Sequence, residues 1–245
     1  MDSPWVQRLI VWGGLLVLYE LAAGAAGEFF LPSIQSIVGG AGDLVTRGHL
    51  LTIAGSLRQM VVGYALAAAV GISLGLLMGR VWLIDEGIGL YVRILLVSPL
   101  SALLPVLVIV FGFGFEFRVA IVFLFCFFFI VFNTASGARA VPHGHLEMAT
   151  SFSAPAHRRF LSIILPASLP YIFSGLRLGL AKAFSGMILA ELYVGHDLGR
   201  LVSSLSYNRD LPRLFALVVF VTLLAVFSAA ALKRIGRRLT PWSEE

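Results

Sequence analysis

The chain has 245 residues, 59% hydrophobic and only 13% charged, with a net charge of +5 and a mean hydropathy of +0.94. That balance excludes an ordinary water-soluble domain, and the positive charge does not indicate nucleic-acid binding, because the basic residues are scattered over segment ends and form no patch. The composition is that of an all-α protein crossing a membrane several times; its apolar runs are continuous, whereas β-barrel strands alternate.

A helix needs about 20 apolar residues to cross a hydrocarbon core about 30 Å thick. By that measure the first span is Val6–Ala26. It reads as an uncleaved anchor and not a signal peptide: the leading segment carries Asp2 as well as Arg8, and A-A-G-A-A-G suits a tightly packing helix end. Gly27–Gly55 follows as an outer loop, with Gly39-Gly40-Ala41-Gly42 predicting a turn before a short surface helix. The second span is Ser56–Gly79, where Gly71, Gly75 and Gly79 form a small-residue face for close helix packing. Arg80–Arg93 is expected to be a short inner loop with Trp82 and Tyr91 at headgroup level.

The third and fourth spans are Ile94–Phe111 and Phe117–Gly137, the latter holding Cys126, read as a buried small hydrophobe. A polar interruption at about 138–170 precedes the fifth span, Tyr171–Val194, with its own small-residue face of Gly175, Gly179 and Ala183. Leu214–Leu232 is the sixth span, followed by a basic tail. Placing the N-terminus inside puts Arg8, Arg80, Arg93, Arg139, Arg158, Arg159, Lys233, Arg234, Arg237 and Arg238 on the cytoplasmic side. Arg47, Arg58, Arg118, Arg200, Arg209 and Arg213 then lie outside, so both termini are expected in the cytoplasm. The whole of 1–245 reads as one transmembrane domain.

Little in the chain points to catalysis. Its only lysines, Lys182 and Lys233, follow Ala181 and Leu232, so no phosphate-cradling Gly-Lys-Ser/Thr loop exists, and no catalytic spacing of Ser, His and Asp appears. His143, His145 and Glu147 alternate, but on a helix they do not share one face, and nothing completes a metal shell. The chain is therefore expected to be no enzyme and to hold no metal or cofactor. Lys182 stands out because a charge near mid-span is costly and commonly functional. It has two open roles: attracting an anionic solute, or pairing with an acid such as Glu191 or Glu116. Ser98, Ser101 and Asn133 are further candidates to line a polar path, although hydrogen bonding between helices accounts for them equally well.

The interruption itself reads E-M-A-T-S-F-S-A-P-A-H-R-R-F-L-S-I-I-L-P from Glu147 to Pro166. Glu147–Phe152 suits a short helix, Ser153 and Pro155 a bend, and Ala156–Ile164 a second helix with Phe160, Ile163 and Ile164 on one face and His157, Arg158 and Arg159 towards another. The segment resembles the coupling loop of permease subunits in ATP-binding-cassette importers. Glu147, Met148 and Ala149 fill the family's Glu-Ala-Ala, Ser153 stands where glycine is usual, and Ile164, Leu165 and Pro166 close the motif.

Further runs resemble the nitrate, sulfonate and taurine branch: T-I-A-G-S-L-R from Thr52, S-P-L-S-A-L-L-P from Ser98, F-G-F-G from Phe111, G-L-R at Gly175 to Arg177, A-E at Ala190 and Glu191, and L-T-P-W from Leu239. The resemblance implies a six-helix type I importer permease in a bacterial inner membrane. Its cytoplasmic loop would meet two ATPase subunits that bind ATP and magnesium, at Glu147, Ala149, Ser153, Ala154, Pro155, His157, Arg158 and Phe160. It also implies a second permease copy or close relative, a periplasmic or lipid-anchored solute-binding protein, and a small, often anionic cargo. Arg177, in the G-L-R element, and Glu191 join the pathway candidates. If the Ser153 bend is left-handed, the missing glycine costs about 1–2 kcal/mol. An ion-coupled secondary carrier is the alternative; it is disfavoured by the absence of an evident inverted repeat and by few buried acids.

Overall fold

The computed structural model describes residues 4–28, 30–46 and 48–242, and among them only helices and turns occur, with no strand. Asp2, Arg47 and the side chain of His143, all weighed above, lie outside the described parts. In chain order the helices are α1 (Pro4–Ala26), α2 (Ile34–Thr46), α3 (His49–Arg80), α4 (Trp82–Val97), α5 (Leu104–Phe111) and α6 (Phe115–Arg139). They are followed by α7 (His143–Ser151), α8 (Ala156–Arg159), α9 (Leu165–Val194), α10 (Asp197–Tyr207) and α11 (Leu211–Leu239).

The bundle is organised around α6, whose Phe117, Ile121, Val122, Cys126, Ile130, Val131, Ala135 and Ala138 are wholly buried. Apolar side chains gain little by leaving lipid for a protein core, so close backbone approach has to supply dispersion contact instead. Glycines make that approach possible on both flanks. A Cβ on Gly75 of α3 would lie 2.6 Å from Thr134 Cβ and 2.8 Å from the Val131 carbonyl oxygen, and one on Gly71 would lie 3.0 Å from Ile130 Cγ2. From the other side, a Cβ on Gly175 or Gly179 of α9 would lie 2.9 Å from Asn133 Cβ or Ile130 Cγ1. Both small-residue faces thus serve contacts within the chain. The Tyr64 hydroxyl also ties α3 to α9, donating to the Leu176 carbonyl at 2.9 Å.

Among the described residues, five helical runs are long and apolar enough to span a membrane: Trp5–Ala26, Leu51–Arg80, Phe115–Arg139, Ala156–Val194 and Leu211–Leu239. The third span, expected as the straight segment Ile94–Phe111, is instead a broken pair, α4 and the Leu100–Phe111 segment, bent by 101°. Pro99 explains the break: it has no amide hydrogen to continue the ladder, and its ring forces Ser98 to extended backbone at φ −71°, ψ 145°. A left-handed Gly112 (φ 67°) then turns the chain from α5 into α6.

Two expected loops are also helical. The expected inner loop Arg80–Arg93 is mostly α4, which starts at Trp82; its first-turn Asp85 complements the helix dipole and pairs with Arg139 of α6 at 3.0 Å. Trp82 and Tyr91 stay exposed. The Gly39–Gly42 stretch forms no turn, because Gly40 and Leu44 of α2 are buried against the start of α11. A Cβ on Gly40 would lie 2.9 Å from the Pro212 backbone, and Asp43 receives two bonds from the Arg213 guanidinium, at 3.0 and 2.7 Å. In contrast, α1 is almost wholly exposed; it is held at its end by the Tyr19 hydroxyl on the Pro32 carbonyl, at 2.8 Å, and by Glu20 accepting from the Ile34 amide at 3.1 Å.

Candidate functional site

The polar interruption folds as an elbow, α7 then α8, standing at the end of the bundle where α3 and α11 finish. Thr150 and Ser151 turn their hydroxyls back onto the Leu146 and Glu147 carbonyls and close α7. The chain then reverses at Ser153, whose φ of 54° is the left-handed conformation usual for glycine, so the bend does carry that cost of about 1–2 kcal/mol. The Ser153 amide donates to the Thr150 carbonyl at 2.8 Å and the Ala154 amide to the Ala149 carbonyl at 2.9 Å, which fixes the turn. Pro155 precedes α8 as its cap, and its carbonyl accepts from Arg158 and Arg159.

Around this bend Glu147, Ser153, Pro155, His157 and Arg158 are exposed, while Ala149, Ala154 and Phe160 are half-buried. The Glu147 carboxylate has no hydrogen bond or ion pair among the described residues. Two apolar side chains that were not among the expected contact residues are exposed on the same elbow: Phe152, 81% exposed, and Met148, 56% exposed. The available signal was apolar residues inside a polar segment.

Beyond the elbow there is no separate second helix. α8 runs through a wider π-type turn, Phe160–Ile164, straight into α9, giving one helical run from Ala156 to Val194. Pro166 and Pro170 lack the amide hydrogens an α-helix needs here, which accounts for the looser turn beside them. Ile164 is buried, and Phe160 and Arg159 line a groove of about 700 Å³ against Leu76, Leu77 and Arg80 of α3. The elbow is thus continuous with one core helix and lies against another.

The pathway candidates do not form a single site. Ser98 and Ser101 sit at the break between α4 and α5, and Ser98 donates to the Ile94 carbonyl at 2.8 Å. Asn133 is half-buried and donates to Phe129 in its own helix at 2.7 Å. Lys182 is exposed, its ammonium 5.2 Å from the Phe129 ring centroid, and it pairs with neither Glu191 nor Glu116. It shares a surface stripe with Leu178, Ala181 and Ser185, all exposed. Arg177 is half-buried in a cleft beside α11.

Glu191 is wholly buried. It accepts from the Ser56 hydroxyl at 2.8 Å and from the Gln59 amide, while Ser56 in turn accepts from the Leu198 amide at 3.4 Å. This network holds α10 onto α3 and α9. Its neighbours are the buried Arg118, 3.8 Å from Asp197, and Gly199, which lies too close to the Glu191 backbone to carry a side chain. Among the described residues no three His, Cys, Asp or Glu side chains gather as a metal site.

Residues 67–241 match the family described as binding-protein-dependent transport system inner membrane component. The chain is similar to the nitrate import permease protein NrtB of Synechocystis sp., with 30% identity over 79% of this chain and 74% of that one. It is likewise similar to the formylaminopyrimidine transport permease protein ThiX of Halalkalibacterium halodurans, with 30% identity over 94% of this chain and 93% of the other. The crystal structure of an amino acid ABC transporter with histidines shares the fold, with a TM-score of 0.58 at 17% identity over 81% of this chain and 97% of its counterpart.

Proposed function

Because the chain belongs to the binding-protein-dependent transport system inner membrane components, we propose that it forms the solute pathway of an ABC importer and is driven by cassette ATPases docking on the α7–α8 elbow. The observation carrying this reading is the elbow itself: an exposed Phe152 and a Glu147 without a partner among the described residues, on a bend continuous with the helical run to Val194. An exposed aromatic and a free carboxylate on one short elbow suit a docking knob.

In this mechanism two ATPase subunits bind ATP and magnesium, close on each other, and draw two elbows together. The attached α9 helices then tilt and open the pathway outwards to a solute delivered by an external binding protein, and hydrolysis restores the inward state. Coupling requires ATP and solute each to favour one of the two states, since a ligand that binds both equally shifts nothing. A second permease copy supplies the other wall, and the exposed apolar surface of α1 supports that assembly. The loop end lies in the cytoplasm, in keeping with the basic end of α11, where Lys233, Arg234, Arg237 and Arg238 cluster.

The cargo is read as a small anion. Lys182 supports this as an exposed cation without a carboxylate partner among the described residues, in a stripe of otherwise uncharged residues. Co-expression with the neighbouring genes and purification in mild detergent tests the coupling. A cassette ATPase is expected to copurify with the native chain and to be lost with Glu147→Lys. An intact chain that holds no ATPase in detergent or lipid refutes the reading and returns the question to ion-coupled transport. Lys182→Met, in reconstituted vesicles, is expected to cut nitrate uptake about tenfold, the scale of one charge-assisted contact, while ATPase association persists. Unchanged uptake removes Lys182 from the pathway.

A further inference from the structure

The groove of about 700 Å³ between the end of α3 and the start of the long helical run has mostly apolar walls and two cations. Leu76 and Ile164 line it as buried residues, with Leu165 beside them, and Arg80 and Arg159 are its charged residues. No carboxylate lines it. The half-buried Arg159 guanidinium has neither a hydrogen-bond acceptor nor an ion-pair partner among the described residues. Arg80 reaches the Ala138 carbonyl at 3.5 Å and has no carboxylate partner among them. A guanidinium drawn out of bulk water without an acceptor is costly, and its planar fork suits a phosphate.

We propose that this groove seats an anionic phospholipid, with its phosphate held by Arg80 and Arg159 and one acyl chain along the apolar walls. A free phosphate shares the headgroup chemistry, but the length of the groove favours the lipid. Ser73 and Arg80 both line it, so it follows about 10 Å of α3 from the basic end of the helix back into its apolar run. Leu77 on its wall and Leu161, next to Phe160, are exposed, so a chain leaving the groove meets apolar surface. Trp82, exposed two residues after Arg80, marks the headgroup level at which α3 ends. A basic site between spans at the cytoplasmic leaflet favours an anionic headgroup by about fivefold in affinity per cation. The inference rests on reading α3 and α9 as spans with the elbow in the cytoplasm. The bound lipid bridges the elbow to α3, a link that no ion pair among the described residues provides.

The test is native mass spectrometry of the full chain, purified in neutral detergent and titrated with palmitoyl-oleoyl phosphatidylglycerol or with the matching phosphatidylcholine. Preferential retention of phosphatidylglycerol is expected, weakened about fivefold by Arg159→Gln and about 25-fold by Arg159→Gln with Arg80→Gln. Arg159→Lys should retain most of the binding, and Arg234→Gln, exposed on α11 and outside the groove, all of it. Ser73→Phe fills the apolar end without touching the cations and should also lower lipid retention. Thermal unfolding in neutral detergent shows whether each variant is folded. Retention equal to native by the folded double variant overturns the proposal, as does equal binding of the two lipids. Displacement of the lipid by millimolar inorganic phosphate, or native retention by Ser73→Phe, overturns the lipid source and leaves the cations to a soluble anion. ATPase copurification is scored on the same chain: its absence beside selective lipid retention defeats the coupling reading alone, and its presence without lipid selectivity defeats the lipid site alone.

Discussion

The α3–α6–α9 core and the α7–α8 elbow are made by opposite rules. In the core, glycines set the helix spacing, and the buried polar side chain Glu191 is bonded to Ser56 and Gln59. At the elbow, Phe152 and Met148 face outwards, Glu147 is unpaired and Ser153 holds a left-handed backbone without being glycine. The core pairs its buried carboxylate within the chain, while the elbow leaves its groups available to something else. Stability and function should therefore separate between the two regions.

The strongest way to break the contrast is Gly75→Val. Its Cβ would lie 2.6 Å from Thr134 Cβ, so α3 and α6 must part. Overpacking of this kind costs about 1–3 kcal/mol, and loss of a monodisperse peak in size-exclusion chromatography is the expected result. Glu191→Leu comes next: it strands the Gln59 amide inside the bundle, while the Ser56 hydroxyl falls back on the Thr52 carbonyl, an expected loss of about 1–3 kcal/mol that thermal unfolding in detergent would register.

Phe152→Ser sharpens the comparison from the other side. With Phe152 already 81% exposed, stability read by thermal unfolding should stay within about 0.5 kcal/mol of native, while ATPase copurification falls sharply. A drop in stability instead would make Phe152 a core residue and dissolve the contrast. The smallest effect is expected from Ser153→Gly, which relieves the φ of 54° and should stabilise the chain by up to about 1 kcal/mol without weakening ATPase association.

Much of this contrast was legible in the residues. Five of the six apolar runs lie within helices long enough to span, because twenty apolar residues leave the backbone few other options. The elbow, too, was legible down to Ser153, since a left-handed bend without glycine is a local matter of one residue. The third span was misread because hydropathy averages over a window and does not register that Pro99 turns the chain by 101° inside an apolar run.

The Gly39–Gly42 turn was misread for the converse reason. Glycine marks turns when the chain is alone, but here Gly40 is required by the Pro212 backbone of α11, a contact 172 residues away in sequence that no local pattern encodes. Glu191 shows a related limit: its burial depends on Ser56 and Gln59 of α3 and on the approach of α10, contacts that its motif position does not encode.

The unbroken helix from Ala156 to Val194 has a consequence of scale. At about 1.5 Å per residue its 39 residues measure about 58 Å, nearly twice the thickness of the hydrocarbon core. Even when tilted, a rod of that length extends well past the acyl chains. If the proposed coupling holds, the ATPase would grip the surplus length of helix outside the hydrocarbon and need no contact with lipid.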